Sequence, residues 1–452
     1  MNHAVVIGGN ADALVAAHLL ASAGREVIVI EGANAPDTEG WVPPKVLRAL
    51  HLQGLQLHWP DPWISVPLPA GGRLELWRDM ARSVESIRRV SERDAARWPQ
   101  FCKRMARLAR FLEALYAAPP PDPLSTAFAL RARRLGAQGL EDLLRILPMP
   151  VAELLDDWLE NDALKGALAG AGVQHILQGP RSSGTAFRML HQHVGCPPGV
   201  FRAPRSNILE LLRRLPRVEL QHAAVQRVAV KAGAVSGVVL DDGREHATTM
   251  VVSSADVRRS LLDFVEPGWL DPQLVRAVRH VRRRGVAARL RVQLDRSPGF
   301  GALALAPSLD YLERAYDDAK HGGLSRLPYV EARCDEQHRL DVLVQYAPYG
   351  VDSTKLADTV IAMLAEQTGD AVIGKSELLS PRELEESEGW PEGQPHHAEL
   401  ALDQALWMRP LPELAGYRTP IEGLWLCGPG MHPGAGVAGA SGFNCAQAIL
   451  QR

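Results

Sequence analysis

Cysteine is scarce. The chain has five among 452 residues, at positions 102, 196, 334, 427 and 445, with no CxxC pair and no short Cys/His cluster. This excludes a disulphide-stapled scaffold and the usual zinc modules, and the thiols read as reduced ones of the cytoplasm. No stretch approaches the ~18 uninterrupted apolar residues of a membrane-spanning helix. Neither sign of charge dominates: 50 basic side chains against 52 acidic ones leave a formal charge of −2, which argues against nucleic acid as a partner. The opening Met1-Asn2-His3-Ala4 runs straight into a strand pattern, without the basic and apolar regions of a signal peptide, so a cytoplasmic protein is expected. No Ser/His/Asp, Cys/His or paired-carboxylate spacing can be placed, so hydrolase chemistry has no support.

What remains is an ordinary globular composition, 46% hydrophobic and 23% charged, long enough for two or three domains. Its strongest local pattern is at the start. Ala4-Val5-Val6-Ile7 is an apolar strand, Gly8-Gly9-Asn10 a turn, Ala13 to Ala23 a helix ending at Gly24, and Val27-Ile28-Val29-Ile30 a second strand ending in Glu31. The acid stands 23 positions after Gly8, close to the ~20 of a dinucleotide-binding βαβ unit whose carboxylate meets a ribose. Such a unit brings backbone N–H groups and a helix N-terminus onto a pyrophosphate, and glycines permit the approach. A full G-x-G-x-x-G requires glycine at 8, 10 and 13, where this chain has Gly8, Asn10 and Ala13. Alanine is an accepted third residue, but Asn10 puts a side chain where phosphate oxygens would come close. The same residues also suit a tight βαβ turn that binds no nucleotide.

Prolines and glycines break the pattern between 32 and 64, and residues 79–116 read as helical, with Phe101, Met105, Leu108 and Leu112 on one face. After the stiff Pro119-Pro120-Pro121-Asp122-Pro123, helical segments continue to about 195. Strand patterns return at Val225 to Val230, Val235 to Leu240 and Met250 to Ser253, then at Ala287 to Leu294 and Val342 to Tyr346, with a helix near 354–366. The arginines between Arg276 and Arg291 read as a solvated helix face leading into a strand. The expected fold is mixed α/β: a Rossmann-like domain (1–78, 200–268 and 415–452) interleaved with a mainly helical lobe (79–199) and a sheet-containing substrate domain (269–414).

Near the C-terminus the strand Leu424-Trp425-Leu426 feeds a glycine-rich turn through Gly428, Gly434, Gly436 and Gly439, and Val437 to Leu450 reads as a helix. Glycines at a helix N-terminus again let a ligand approach backbone amides. His191 and His193, and the pair His396-His397, invite a metal reading. Residues at i and i+2 of a helix share no face, however, and no acidic ligand is anchored beside them, so no metal site is assigned.

Together these segments resemble the FAD-dependent oxidoreductases of the phytoene desaturase and amine oxidase superfamily, nearest the group of pyridine nucleotide-disulphide oxidoreductase domain-containing protein 2. The resemblance runs nearly end to end. It is carried by Val6-Ile7-Gly8-Gly9 with Glu31, by Gly179 to Ala186 (GPRSSGTA), by Pro307 to Ala315 (PSLDYLERA), by Val344 to Tyr349 (VQYAPY), by Met408-Arg409-Pro410 and by the C-terminal glycine segment. It implies FAD, a substrate tunnel and a small apolar or amine substrate. Carried over by position, Gly8, Gly9 and Asn10 would face the pyrophosphate, Glu31 the ribose, and Val225 the adenine. Gly428, Gly436 and Val437 would meet the ribityl and ring end, with His432 and Pro433 nearby. His397 and His432 are the histidines to test as active-site lining; no general base is assigned.

Relatives carry three glycines in the first loop, an Arg-x-Gly-Gly segment after the ribose acid, and a further glycine turn before the Val225 strand. Here stand Asn10, Gly32-Ala33-Asn34-Ala35-Pro36 and Phe201-Arg202-Ala203-Pro204-Arg205-Ser206-Asn207. These departures fall on the cofactor side while the scaffold is kept. Two functions follow. One is a flavoenzyme in which FAD takes a hydride from the substrate. The other is a flavin-free member acting as a binding or partner subunit, with a protein partner or a second copy of itself.

Overall fold

The computed structural model describes residues 3–32, 40–120, 125–369 and 371–451. The opening unit is β1 (His3–Ile7), α1 (Ala11–Ser22) and β2 (Glu26–Glu31), with β1 and β2 parallel and Val5 opposite Ile28. Two later strands, β3 (Glu219–His222) and β4 (Val251–Ser253), and the C-terminal strand Leu424–Leu426 complete a parallel sheet. Its order is Leu424–Leu426, β4, β1, β2, β3. Ala4, Val5 and Val6 are fully buried because a central parallel strand is covered on both faces. Helix α1 is buried from Ala11 to Leu20, and its small residues let the chain's last helix pack closely against it.

Between these strands lie helices that include α2 (Glu92–Tyr116), α3 (Asp162–Val173) and α4 (Thr185–Gln192). The helical reading of 79–116 divides at 89–91, where Ser91 caps α2 by accepting the Asp94 N–H. A second sheet is antiparallel, built from β5 (Ala287–Leu294), β6 (Ala302–Leu305), β7 (Tyr329–Cys334), β8 (Arg339–Gln345) and β9 (Ile373–Leu379) in the order β6-β7-β8-β5-β9. Side chains alternate across it. Ala288, Leu290, Val292, Val330, Ala332, Val342 and Val344 bury one face in a core shared with the helix Ser353–Ala365. The opposite face carries Arg289, Glu331, Arg333, Asp341 and Leu343, all of which border a cavity.

Two expectations are corrected. The last helix, α5 (Ala440–Leu450), starts three residues after Val437, because Gly436-Val437 pairs as a strand with Gly40-Trp41 and Gly439 sits at φ 75. The arginine run is not simply a solvated face: Arg282 binds Glu399 and Asp403, and Arg283 binds Asp256 and Glu392.

Candidate functional site

The β1–α1 turn holds its glycines for steric reasons. Gly8 has φ 111, and a Cβ there would lie 2.0 Å from Ser254 Oγ; at Gly9 it would lie 2.0 Å from Glu31 Oε2. Glu31 is buried, and its carboxylate accepts from Arg213 Nη1 and Nη2 at 3.0 and 2.6 Å. The Asn10 carboxamide oxygen caps α1 by accepting the Ala13 N–H at 3.0 Å. Asp12, in the first turn of α1, reaches α5 and accepts the Gly442 N–H at 3.2 Å. Burial pushes the Asp12 carboxyl up to about 6. Each helix N-terminus suited to phosphate thus carries an oxygen of the protein itself.

The cavity of about 220 Å³ runs from Asn10–Asp12 past Gly434–Ala438 to the charged face of the second sheet. Asn10, Gly436 and Val437 border it; Gly8, Gly9, Glu31, Val225, Gly428 and His432 do not. Gly428, at φ 93, packs against the Ser254 carbonyl, and Val225 is buried at the start of its own strand. His432 is fully buried with Nε2 at 3.4 Å from the Leu115 carbonyl. His397 does not reach the cavity either; His175 and His396 line it instead, their rings edge-on at 4.8 Å. His191 and His193 diverge: His191 donates from Nε2 to the Ala435 carbonyl at 2.7 Å and accepts the Tyr116 hydroxyl at Nδ1, whereas His193 stacks on Phe201. Among the described residues no group of three or more His, Cys, Asp or Glu is placed to hold a metal ion.

Four arginines and three acids line the cavity, and most are matched. Arg289 binds Asp341 at 2.7 and 2.9 Å, and Arg205 binds the same carboxylate. Glu331 is bound by Arg202, the Tyr329 hydroxyl and Gln174 Nε2, and Arg333 lies 3.9 Å away. Arg188 is the exception. It is 1% exposed, its Nε has no partner, and its two terminal nitrogens meet only the Gln192 carboxamide, whose oxygen lies 2.9 Å from each when the amide is turned to face them. Arg409, equally buried, is by contrast held by the carbonyls of His396, Ala398, Glu399, Gln404 and Pro429. Burial, then the Arg188 charge, pushes His175 and His191 down to about 3, so both rings are neutral.

His175 also has φ 60, a left-handed conformation that a residue with a Cβ rarely adopts. Two buried glutamines hold it there: Gln345 Oε1 accepts its N–H at 2.8 Å, and Gln394 Nε2 donates to its carbonyl at 2.9 Å. Backbone strain fixed from both sides beside a cavity is a mark of a functional site. The sequence reading named neither His175 nor Arg188. For Arg188 a signal existed: it is the one charge in the otherwise apolar run Ala186-Phe187-Arg188-Met189-Leu190.

No family model matches the chain. It is 29% identical over 542 aligned positions to pyridine nucleotide-disulfide oxidoreductase domain-containing protein 2 of Rattus norvegicus, covering 99% of this chain and 93% of that one. It is 23% identical to a limonene dehydrogenase subunit of Castellaniella defragrans, covering 99% and 94%. Among solved structures, wild-type putrescine oxidase bound to putrescine superposes with a TM-score of 0.60 at 14% identity, covering 100% and 99%. Cyclohexylamine oxidase of Brevibacterium oxydans superposes at 0.57 and 14% identity, with the same coverage. The resemblance read from the sequence is borne out, and the chain shares the mixed α/β fold of putrescine oxidase and cyclohexylamine oxidase.

The residues present do not fit the dinucleotide half of FAD. The pyrophosphate would meet the Asn10 cap and the Asp12 carboxylate, the ribose acid is committed to Arg213, and about 220 Å³ is below the ~300–1,000 Å³ of sites for drug-sized ligands, which are smaller than FAD. The Gly32–Pro36 departure lies, but for Gly32, outside the described residues.

Proposed function

We propose that this chain is a flavin-free member of the oxidoreductase fold, one that keeps the buried ligand cavity and acts as a binding or partner subunit. The observation that carries the reading is the capping of α1 by Asn10, with Asp12 adding a buried carboxylate where a pyrophosphate would bring two more negative charges. One similar protein, the limonene dehydrogenase chain, is itself named as a subunit. The cavity's work is then to bind and orient: Arg188 supplies a fixed positive charge, the neutral His175 and His396 supply hydrogen-bonding edges, and Leu343, Leu384, Trp390 and Val437 supply an apolar wall that excludes water.

The test is the visible absorption spectrum of natively purified protein, followed by chromatography of anything released on denaturation. A colourless protein that takes up no added FAD is expected. Stoichiometric FAD would overturn the reading in favour of a second one, a flavoenzyme taking a hydride from an apolar or amine substrate. That reading is supported by the glycine-rich loop, whose residues Gly434 to Ala438 border the cavity. On it, Gly436→Trp would abolish flavin retention with secondary structure intact.

A further inference from the structure

We infer that the cavity binds a small carboxylic acid with an apolar body, its carboxylate paired to Arg188. This deepens the ligand-binding reading and rests on it. A guanidinium taken out of water costs free energy unless an anion meets it, and proteins pair such charges or surround them with acceptors. Every other arginine bordering the cavity has an acid within reach: Arg205 and Arg289 share Asp341, and Arg333 lies 3.9 Å from Glu331. Arg409, just behind, has its carbonyl cage. Arg188 has only the neutral Gln192 amide, and no carboxylate lies within ion-pair distance of it among the described residues. Its Nε is buried without a partner, so the guanidinium is under-satisfied as a donor.

The unpaired guanidinium of Arg188 sets the sign of the ligand's charge. A carboxylate would meet Arg188 as an ion pair in a cavity whose other lining arginines already have acids. A planar carboxylate matches the fork of a guanidinium. An ammonium would meet like charge, so an amine is the wrong class for this end of the cavity. Ala203, Ala287, Leu343 and Val437 offer the rest of the ligand no hydrogen-bonding side chain, which favours an apolar body, and about 220 Å³ keeps it small.

The experiment is isothermal titration of the full-length protein, as purified, with linear and aromatic monocarboxylates of graded length, each beside its neutral amide and its amine. Phenylacetate, phenylacetamide and phenethylamine form one such set. The expected result is that at least one acid binds tenfold or more tighter than its amide, with the amines weakest, and that Arg188→Met removes the preference while Arg188→Lys restores part of it. Arg188→Met is expected to melt no lower than the unliganded parent, since it removes an unmatched charge. Equal binding of acid and amide, preference for amines, or no binding by any acid overturns the inference. Those outcomes need only the unaltered chain, so a misfolded variant does not spare it. Added FAD separates the two proposals. Stoichiometric flavin with acid preference retained sinks the flavin-free reading alone, whereas loss of FAD uptake in Arg188→Met with no acid bound assigns the guanidinium to flavin and sinks this inference.

Discussion

Asn10 stands at the second glycine position of a dinucleotide fingerprint, and its oxygen takes the helix N–H at 3.0 Å. That bond stabilises the turn and opposes a phosphate at the same donors. Asn10→Ala should lower stability by ~0.5–2 kcal/mol, and Asn10→Gly by only a few tenths, measured by urea denaturation. Asp12 gives a pH signature. Burial raises its carboxyl from the ordinary 3.8 to about 6, so the folded chain holds this proton to higher pH than the unfolded one. Its contribution therefore favours folding at low pH and is lost as pH rises from about 4 to about 6. Asp12→Asn keeps the acceptor for Gly442 and should gain stability over the parent across that window, levelling off at roughly 2–3 kcal/mol above it. A flat difference between the two proteins from pH 4 to 7 would show that Asp12 is not buried as described. Asn10 was legible in the sequence because its position in the fingerprint is fixed. Asp12 was not, because its partner lies 430 positions away on α5.

Helices α1 and α5 meet so closely that a Cβ on Gly442 would stand 1.8 Å from the Asp12 carbonyl oxygen. Backbone cannot yield as a flexible side chain does, so Gly442→Ala should cost ~1–3 kcal/mol or more, read as a lower melting temperature. The βαβ start, the strand at 287–294 and the helix near 354–366 were legible because apolar periodicity and glycine stops are local signals. The start of α5 was not. Val437 is apolar and helix-compatible by pattern, but its backbone bonds go to Gly40-Trp41, a partner that only folding brings near. Helix α4 shows the same limit. Its sequence supplied a lone arginine, and the folded chain supplied the lack of an acid around it.

At the scale of the molecule, the helical block and the second sheet are joined by a buried ion pair. Arg202 binds Glu331 at 2.9 Å and also donates to the Ala167 carbonyl on α3. Removing one partner leaves the other charged and buried, so Arg202→Met should destabilise the protein by about 3–5 kcal/mol, measured by chemical denaturation. A loss below ~1 kcal/mol would mean that Glu331 finds water or another cation. By itself the sequence determined the mixed α/β class, the parallel nucleotide-type sheet and the positions at which the fingerprint is broken, because these rest on period and on glycine at fixed offsets. Only the tertiary structure decided that His175 and His396, not His397 and His432, border the cavity, that Glu31 answers to Arg213, and that Arg188 is left without an acid. The reason is physical. The charge balance of a buried site is a sum over side chains drawn from segments hundreds of residues apart, and no local pattern carries that sum.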